Sequence, residues 1–345
     1  MEQLKSIKDI DQISIPEDRK LHSAEHDEIV NGLTTDVYFL RTLDILASLD
    51  LADAEVVAEI FPRKQGVFCG IEEVKSLLKD KPLELWAVDE GECFDFKDTV
   101  LRIKGKYKDV AIYETIILGM LASASGWATA SSEIKEACDD KSFLCFGARH
   151  VHPAVAPVME RAAVVGGAGG ASCILAAKLS GINPSGTVPH SAMLIAGDTL
   201  TIAEAYDKIS PADHNRIVLI DTFKDEVEEA IRIAKALNGN LFGIRLDTPS
   251  ERGGVTAGLV KEMRAKLDLE GFNAVKIFVS GGLTPDRIRL LKEAGADSFG
   301  VGSYISAASP IDMTMDIKMV NGKAVAKRGR IPGLVDNPKL KAVMA

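Results

Sequence analysis

Leu219-Ile220-Asp221-Thr222, Ile244-Arg245-Leu246-Asp247-Thr248, Phe278-Val279-Ser280-Gly281-Gly282 and Phe299-Gly300-Val301-Gly302-Ser303 each close an apolar run between Ile217 and Ser303. An amphipathic, helix-like stretch follows each run. Strands covered by helices on both faces need continuous apolar runs. The repeat length, roughly 25 to 30 residues, is that of a strand plus its crossover helix. The pattern predicts an α/β fold with parallel strands in barrel-like order, whose chemistry gathers at the C-terminal strand ends. Two of these ends carry charge and two carry bare backbone. That division suits a sugar to be gripped and a phosphate to be cradled.

The 345-residue chain has room for a barrel and an additional domain, and its 46% hydrophobic and 26% charged residues are ordinary for a globular protein. A net charge of −9 opposes non-specific nucleic-acid binding. No signal peptide and no membrane span are expected, so the expected location is cytoplasmic. Cys69, Cys93, Cys138, Cys145 and Cys173 form no CxxC pair and support neither a zinc ribbon nor a disulfide framework.

Outside the repeat, Thr34 to Leu51 reads as a helix capped by Thr35 or Asp36, and Val56 to Phe61 reads as a strand. Short alternating strands between Leu85 and Ile103 indicate an α+β domain. A long helix is predicted from Tyr113 to Ala137, with Ser125-Gly126-Trp127-Ala128-Thr129 deeply placed because small residues permit close packing. Phe143 to Phe146 reads as the first barrel strand. Helices are predicted over Val155–Val164 and Gly170–Leu179, with residues 166–170 as a turn into the second. Asn321-Gly322 marks a hairpin in a tail that returns to the N-terminal domain. The expected boundaries are 1–135, 136–310 and 311–345.

Ser280-Gly281-Gly282, followed by a helix start at Thr284-Pro285, is a candidate anion site, because glycine lets backbone N–H groups approach a ligand. Gly300-Val301-Gly302, with Ser303, repeats the form on the next strand, and late barrel strands often hold a phosphate. Arg245 and Asp247, two residues apart, share one side of their strand. The carboxylate suits ribose hydroxyls or Mg²⁺, and the planar guanidinium suits an anion. The competing reading is a structural ion pair across the barrel mouth. Asp221 is equally consistent with either role. His190, in Gly186-Thr187-Val188-Pro189-His190-Ser191, reads as a general base, a phosphate contact or a hydrogen-bonded core histidine. A metallohydrolase reading of His150 and His152 fails, since the last strand offers Gly300 and Ser303 where an aspartate is needed. No protein-held metal site is expected. Arg149 beside those histidines fits an anion better.

In order along the chain, Asp36-Val37-Tyr38-Phe39-Leu40-Arg41-Thr42, Phe61-Pro62-Arg63-Lys64, Glu114-Thr115, Ser125-Gly126-Trp127-Ala128-Thr129, Phe146-Gly147-Ala148-Arg149, the Gly186–Ser191 segment, Arg245-Leu246-Asp247-Thr248 and the two glycine loops resemble the type II phosphoribosyltransferases, the nicotinate and quinolinate enzymes. The resemblance runs from about Thr34 to Gly333; any single motif is weak, and the ordered set is strong. It implies an irregular TIM-like α/β barrel preceded by an N-terminal α+β sandwich domain. It also implies transfer of a phosphoribosyl group from phosphoribosyl pyrophosphate to a pyridine carboxylate, nicotinate before quinolinate or nicotinamide. A non-catalytic phosphosugar-binding relative is the alternative from another class.

By that resemblance Arg149, His190, Arg245 and Asp247 are the expected catalytic residues. Arg149 and Arg245 would hold the carboxylate or pyrophosphate, Asp247 the ribose hydroxyls, and His190 matches the histidine phosphorylated in ATP-using members. Tyr38 from a neighbouring subunit would stack on the pyridine with Phe146 nearby, and Thr187, Asp221, Ser280, Gly281, Gly282, Gly300, Gly302 and Ser303 complete the substrate site. The family implies Mg²⁺ arriving with phosphoribosyl pyrophosphate, ATP use in some members, and a homodimer or larger assembly with shared sites. Without a cysteine after Cys173, no structural zinc is expected. The implied partners are small-molecule substrates, with neither nucleic acid nor membrane.

Overall fold

The computed structural model describes residues 3–211 and 213–344. In chain order its strands are β1 (Glu55–Pro62), β2 (Gly66–Val67), β3 (Glu84–Ala87), β4 (Cys93–Phe94), β5 (Leu101–Lys106), β6 (Ser142–Cys145), β7 (Gly170–Ala171), β8 (Arg216–Leu219), β9 (Leu241–Leu246), β10 (Lys276–Val279), β11 (Ser298–Val301), β12 (Met313–Val320), β13 (Lys323–Ala324) and β14 (Lys341–Met344). Residues up to Thr129, together with those from Ser309 on, form one compact unit, and Ala130–Ala308 forms the other.

The first unit is built on an antiparallel sheet of order β13-β12-β1-β5-β3-β14, with β2 and β4 as a separate ribbon. The C-terminal strands therefore pair inside this unit, β12 on β1 and β14 on β3. Asn321 and Gly322 both adopt positive φ (47° and 74°), as the two central residues of a tight hairpin turn require. Ile60, Leu85, Leu101 and Ile103 face a core shared with Phe68, Leu78 and Tyr113, all essentially without solvent exposure.

The second unit is a curled parallel sheet of order β7-β6-β11-β10-β9-β8. The fold is the irregular α/β barrel type, with the sheet left open as a half-barrel. Strand register fixes which residues meet at its edge. Arg245 lies level with Leu219 on β8 and Phe278 on β10, and Val301 lies level with Cys145 on β6. The C-terminal strand ends therefore gather along one rim. From β8 to β11 an α-helix returns the chain between neighbouring strands, and each of these three starts on a side-chain cap. Asp225 accepts from the backbone N–H groups of Val227 and Glu228, and Thr256 from that of Leu259. Thr284 caps Pro285–Glu293 in the same way. The fourth repeat differs: after β11 comes a single turn, Ser303–Ser306.

One expected helix is replaced in part by strand. Gly170–Ala171 pairs with Leu144 and Cys145 of β6, so residues 166–170 lead into a strand, and the helix begins only at Ile174. A Cβ at Gly170 would lie 2.8 Å from Leu144 Cδ2, so glycine is what lets this edge lie against β6. A two-residue strand carries no period to read.

The helix Glu114–Cys138 is long and apolar. With the short turns before it (Tyr107–Cys138), it reaches a mean hydropathy of 1.3, and 56% of its most apolar window is buried within the protein, as in a core helix. Within the first unit the chain at Ser309 passes so close that a Cβ on Gly126 would stand 2.5 Å from the Ser309 carbonyl oxygen. This contact accounts for the small residues there.

Candidate active site

Arg245, near the end of β9, organises the rim of the parallel sheet. Its Nε donates to Ser280 Oγ at 2.8 Å, Nη1 to Thr187 Oγ1 at 2.8 Å and Nη2 to Asp247 Oδ2 at 3.1 Å. Ser280 Oγ in turn donates to Asp247 Oδ1 at 2.8 Å. Arg245 and Asp247 thus form the ion pair that their spacing allowed, and three of the guanidinium's five N–H groups are engaged. The Arg245 side chain is 13% exposed. Burial holds it below its ordinary basicity, while Asp247 and Asp221 oppose that effect.

Asp221, at the end of β8, joins this cluster to the histidine. Its side chain is 1% exposed, accepts the Asp247 N–H at 2.6 Å through Oδ2, and meets His190 Nε2 at 2.9 Å through Oδ1. Burial pushes the Asp221 carboxyl up, and the Asp247 N–H and His190 pull it back. His190 begins a helix, His190–Ala196, and its side chain is 39% exposed. One imidazole edge is held while the ring stays reachable. Thr187, His190, Asp221, Arg245, Asp247 and Ser280 therefore form one continuous hydrogen-bonded chain.

The glycine ends are shaped by close approach. A Cβ on Gly300 would fall 2.5 Å from Phe146 Cε2, and one on Gly302 would fall 2.8 Å from His150 Cε1. The Phe146 ring lies over the Arg245 guanidinium, 5.4 Å from Cζ to the ring centroid. Gly281 and Gly282 both take positive φ (92° and 59°), which turns the backbone after β10 into the start of the capped helix. Gly281, Gly282 and Ser303 are exposed. Arg149 is exposed on the 3₁₀ turn Ala148–His150, and no hydrogen bond or ion pair to another described residue engages its guanidinium. It is near enough to Arg245 for its charge to oppose that residue's protonation.

Tyr38 belongs to the first unit. It sits half-exposed at the start of the helix Val37–Ser48, beside a cavity of about 290 Å³ lined by Asp36, Glu114, Thr115, Asp312 and Met313 among others. The Glu114 carboxyl in that cavity is raised to about 7, by burial first and the Asp316 charge second. Among the described residues no group of three or more His, Cys, Asp or Glu side chains is arranged to hold a metal.

Comparison with known proteins places these features in a family. Residues 36–125 match the family model "Quinolinate phosphoribosyl transferase, N-terminal domain", and residues 127–316 match its C-terminal domain. The chain belongs to this family. A nicotinate phosphoribosyltransferase of Mycobacterium tuberculosis is 30% identical over 255 residues, 71% of this chain and 53% of the relative. One from Bacillus subtilis is 31% identical over 231 residues, 65% of this chain and 46% of the relative. The chain thus spans about half the length of these curated relatives. A crystal structure titled nicotinate-nucleotide pyrophosphorylase, from Pyrococcus furiosus, is 41% identical, with a TM-score of 0.87 over 95% of this chain and 86% of that one.

Two buried carboxylates that support the rim were not singled out from the sequence. Glu226 accepts from Thr248 Oγ1 at 3.1 Å, just beyond Asp247, and Glu160 supports the Arg149 turn. Glu160 had a legible signal. It falls on the stripe of Ala156, Met159 and Ala163, the buried side of its helix, where an acidic residue is out of place. Glu226, at a helix start, reads as an ordinary N-terminal acid.

Proposed function

We propose that this chain is a phosphoribosyltransferase that joins nicotinate to the phosphoribosyl group of phosphoribosyl pyrophosphate, giving nicotinate mononucleotide and pyrophosphate. The observation that carries this reading is the rim cluster: a held Arg245–Asp247 pair between two glycine-shaped strand ends, with Arg149 unengaged beside it. The relatives named for nicotinate support the choice of pyridine.

The reaction forms a bond from the pyridine nitrogen to ribose C1 and breaks the bond from C1 to pyrophosphate, which leaves with the electron pair. As C1 gains oxocarbenium character, charge collects on the leaving group, and catalysis is mostly positioning plus neutralisation. In this scheme Arg149 offers free donors to the anion. Asp247, fixed by Arg245 and Ser280, takes the ribose hydroxyls. Backbone at Gly281–Gly282 and Gly300–Gly302 receives the 5-phosphate, and Phe146 flanks the ring with Tyr38 from a second copy. Mg²⁺ needs only one or two carboxylates when substrate phosphates supply its other oxygens. Asp247, a quarter exposed, fits that requirement, and the ion would neutralise pyrophosphate charge there.

A second reading, quinolinate as substrate, is favoured by the likeness to the Pyrococcus furiosus protein. Quinolinate carries two carboxylates, and its pocket needs more cations than Arg149 and Arg245 alone. The deciding experiment supplies the purified chain with phosphoribosyl pyrophosphate, Mg²⁺ and either nicotinate, quinolinate or nicotinamide, with and without ATP. Fastest pyrophosphate release with nicotinate is expected. Release with quinolinate together with carbon dioxide would replace the nicotinate reading. No release with any pyridine would leave a phosphosugar-binding relative, and stimulation by ATP that is lost in His190→Ala would support a phosphoryl-transfer role for His190.

A further inference from the structure

Glu160 is fully buried on the helix Ala156–Val165, and all its hydrogen-bond partners are neutral donors. Its Oε1 accepts the Ala148 backbone N–H at 3.0 Å and Ser172 Oγ–H at 2.9 Å, and its Oε2 accepts the Cys173 N–H at 2.6 Å. Ala148 opens the turn that carries Arg149 and His150. Ser172 and Cys173 come directly after β7, and the Ser172 N–H is itself bonded to the Cys145 carbonyl at the end of β6. One carboxylate therefore ties together the C-terminal ends of two neighbouring parallel strands. Burying a charge is costly unless good hydrogen bonds compensate it, and three charge-assisted bonds do so here.

The clamped turn is central to the rim. Gly147, just before it, packs so tightly that a Cβ would meet Met159 Cε at 2.7 Å. His150, at its far end, meets Ser306 Oγ at 3.2 Å and fills the space beside Gly302. Arg149 has no partner of its own among the described residues, so its position is set by the backbone that bears it. A guanidinium free to meet an anion must be held through its main chain, because any side-chain partner would compete with the ligand. Arg245 shows the other solution, three donors spent on Thr187, Asp247 and Ser280.

We propose that Glu160 is a positioning residue, fixing the Phe146–His150 turn so that Arg149 is presented to the pyrophosphate or carboxylate of the substrate. This rests on the phosphoribosyltransferase reading. The test is a double-mutant cycle of Glu160→Gln with Arg149→Ala, read as kcat/KM for phosphoribosyl pyrophosphate by pyrophosphate release. Glutamine can still accept from Ala148 and Ser172, but it sets an amide against the Cys173 N–H. Alone it should lower kcat/KM at least about tenfold, and in the Arg149→Ala background by less than about threefold, because the residue it positions is gone. The same factor in both backgrounds would reduce Glu160 to a structural role and overturn the inference. Should Glu160→Gln not fold, Ser172→Ala removes a single donor, and its smaller loss should again vanish with Arg149→Ala; persistence there also overturns the inference. A wild-type chain that releases no pyrophosphate with any pyridine overturns the functional reading and this inference with it, whereas additive losses in an active chain overturn this inference alone.

Discussion

Two semi-buried arginine–carboxylate pairs, Arg102–Glu59 in the first unit and Arg245–Asp247 in the second, are built for opposite ends. In the antiparallel sheet Glu59, 1% exposed, receives both Nε and Nη2 of Arg102 on its Oε1 at 2.9 and 2.7 Å. The two residues face one another across β1 and β5. The tail closes the arrangement, since the Val335 N–H donates to Glu59 and the Val335 carbonyl accepts from Arg102. In the second unit Arg245 spreads three donors over Ser280, Thr187 and Asp247, and its neighbours are glycine turns and Arg149, which is unengaged among the described residues. A pair placed mid-strand, closed over by the backbone of the tail at Val335, locks a sheet. A pair placed at strand ends, beside glycine turns and an exposed arginine, prepares a surface for a ligand.

Arg245→Ala breaks this contrast most sharply. It should lower turnover about a thousandfold, on the order of 4 kcal/mol of transition-state stabilisation, with the circular dichroism spectrum unchanged. Near-normal activity would make the Arg245–Asp247 pair as structural as its counterpart. Arg102→Ala should do the reverse. Leaving the Glu59 carboxylate without its ionic partner is expected to cost about 3 kcal/mol in urea unfolding, while kcat per folded molecule stays the same.

The Glu114 carboxyl, raised to about 7 by burial, holds a proton in the folded chain that the unfolded chain releases near 4.5. Its stabilising contribution is therefore full at low pH and is lost as pH rises through the interval from about 4.5 to 7. Glu114→Gln should flatten the stability–pH curve there, by an amount on the order of 2 kcal/mol. An unchanged slope would show that this carboxyl titrates normally. The smallest effect concerns the glycine rim. Gly302→Val, whose Cβ meets His150 and the Phe146 carbonyl oxygen, should raise the apparent KM for phosphoribosyl pyrophosphate about tenfold, roughly 1.4 kcal/mol. An unaltered KM would remove Gly302 from the phosphate site.

Much of this was readable from residue order. The apolar runs ending at Leu219, Leu246, Val279 and Val301 identified four parallel strands, because a strand covered on both faces tolerates few polar positions. The helix start at Thr284-Pro285 and the Asn321-Gly322 turn came from local chemistry. Gly170–Ala171 did not. Its strand identity comes from pairing with Leu144 and Cys145, a long-range contact with no local period. At the rim, the candidates Arg245, Asp247, Ser280 and His190 were visible by type and place, whereas Thr187 as an Arg245 partner and Asp221 as the link from His190 to Asp247 were not.

By itself the sequence determined the four parallel strands from β8 to β11, which of their ends carry charge or glycine, and the order of motifs that marks the family. These depend on residue spacing, and spacing is a local property. Tertiary structure alone decided which of those ends share atoms: that Asp221 bonds both His190 and the Asp247 backbone, that Glu160 holds the Arg149 turn, and that Arg149 is left unengaged while Arg245 is not. Hydrogen bonds reach only about 3 Å, so these assignments were settled by the parallel register that brings strand ends distant in sequence level with one another.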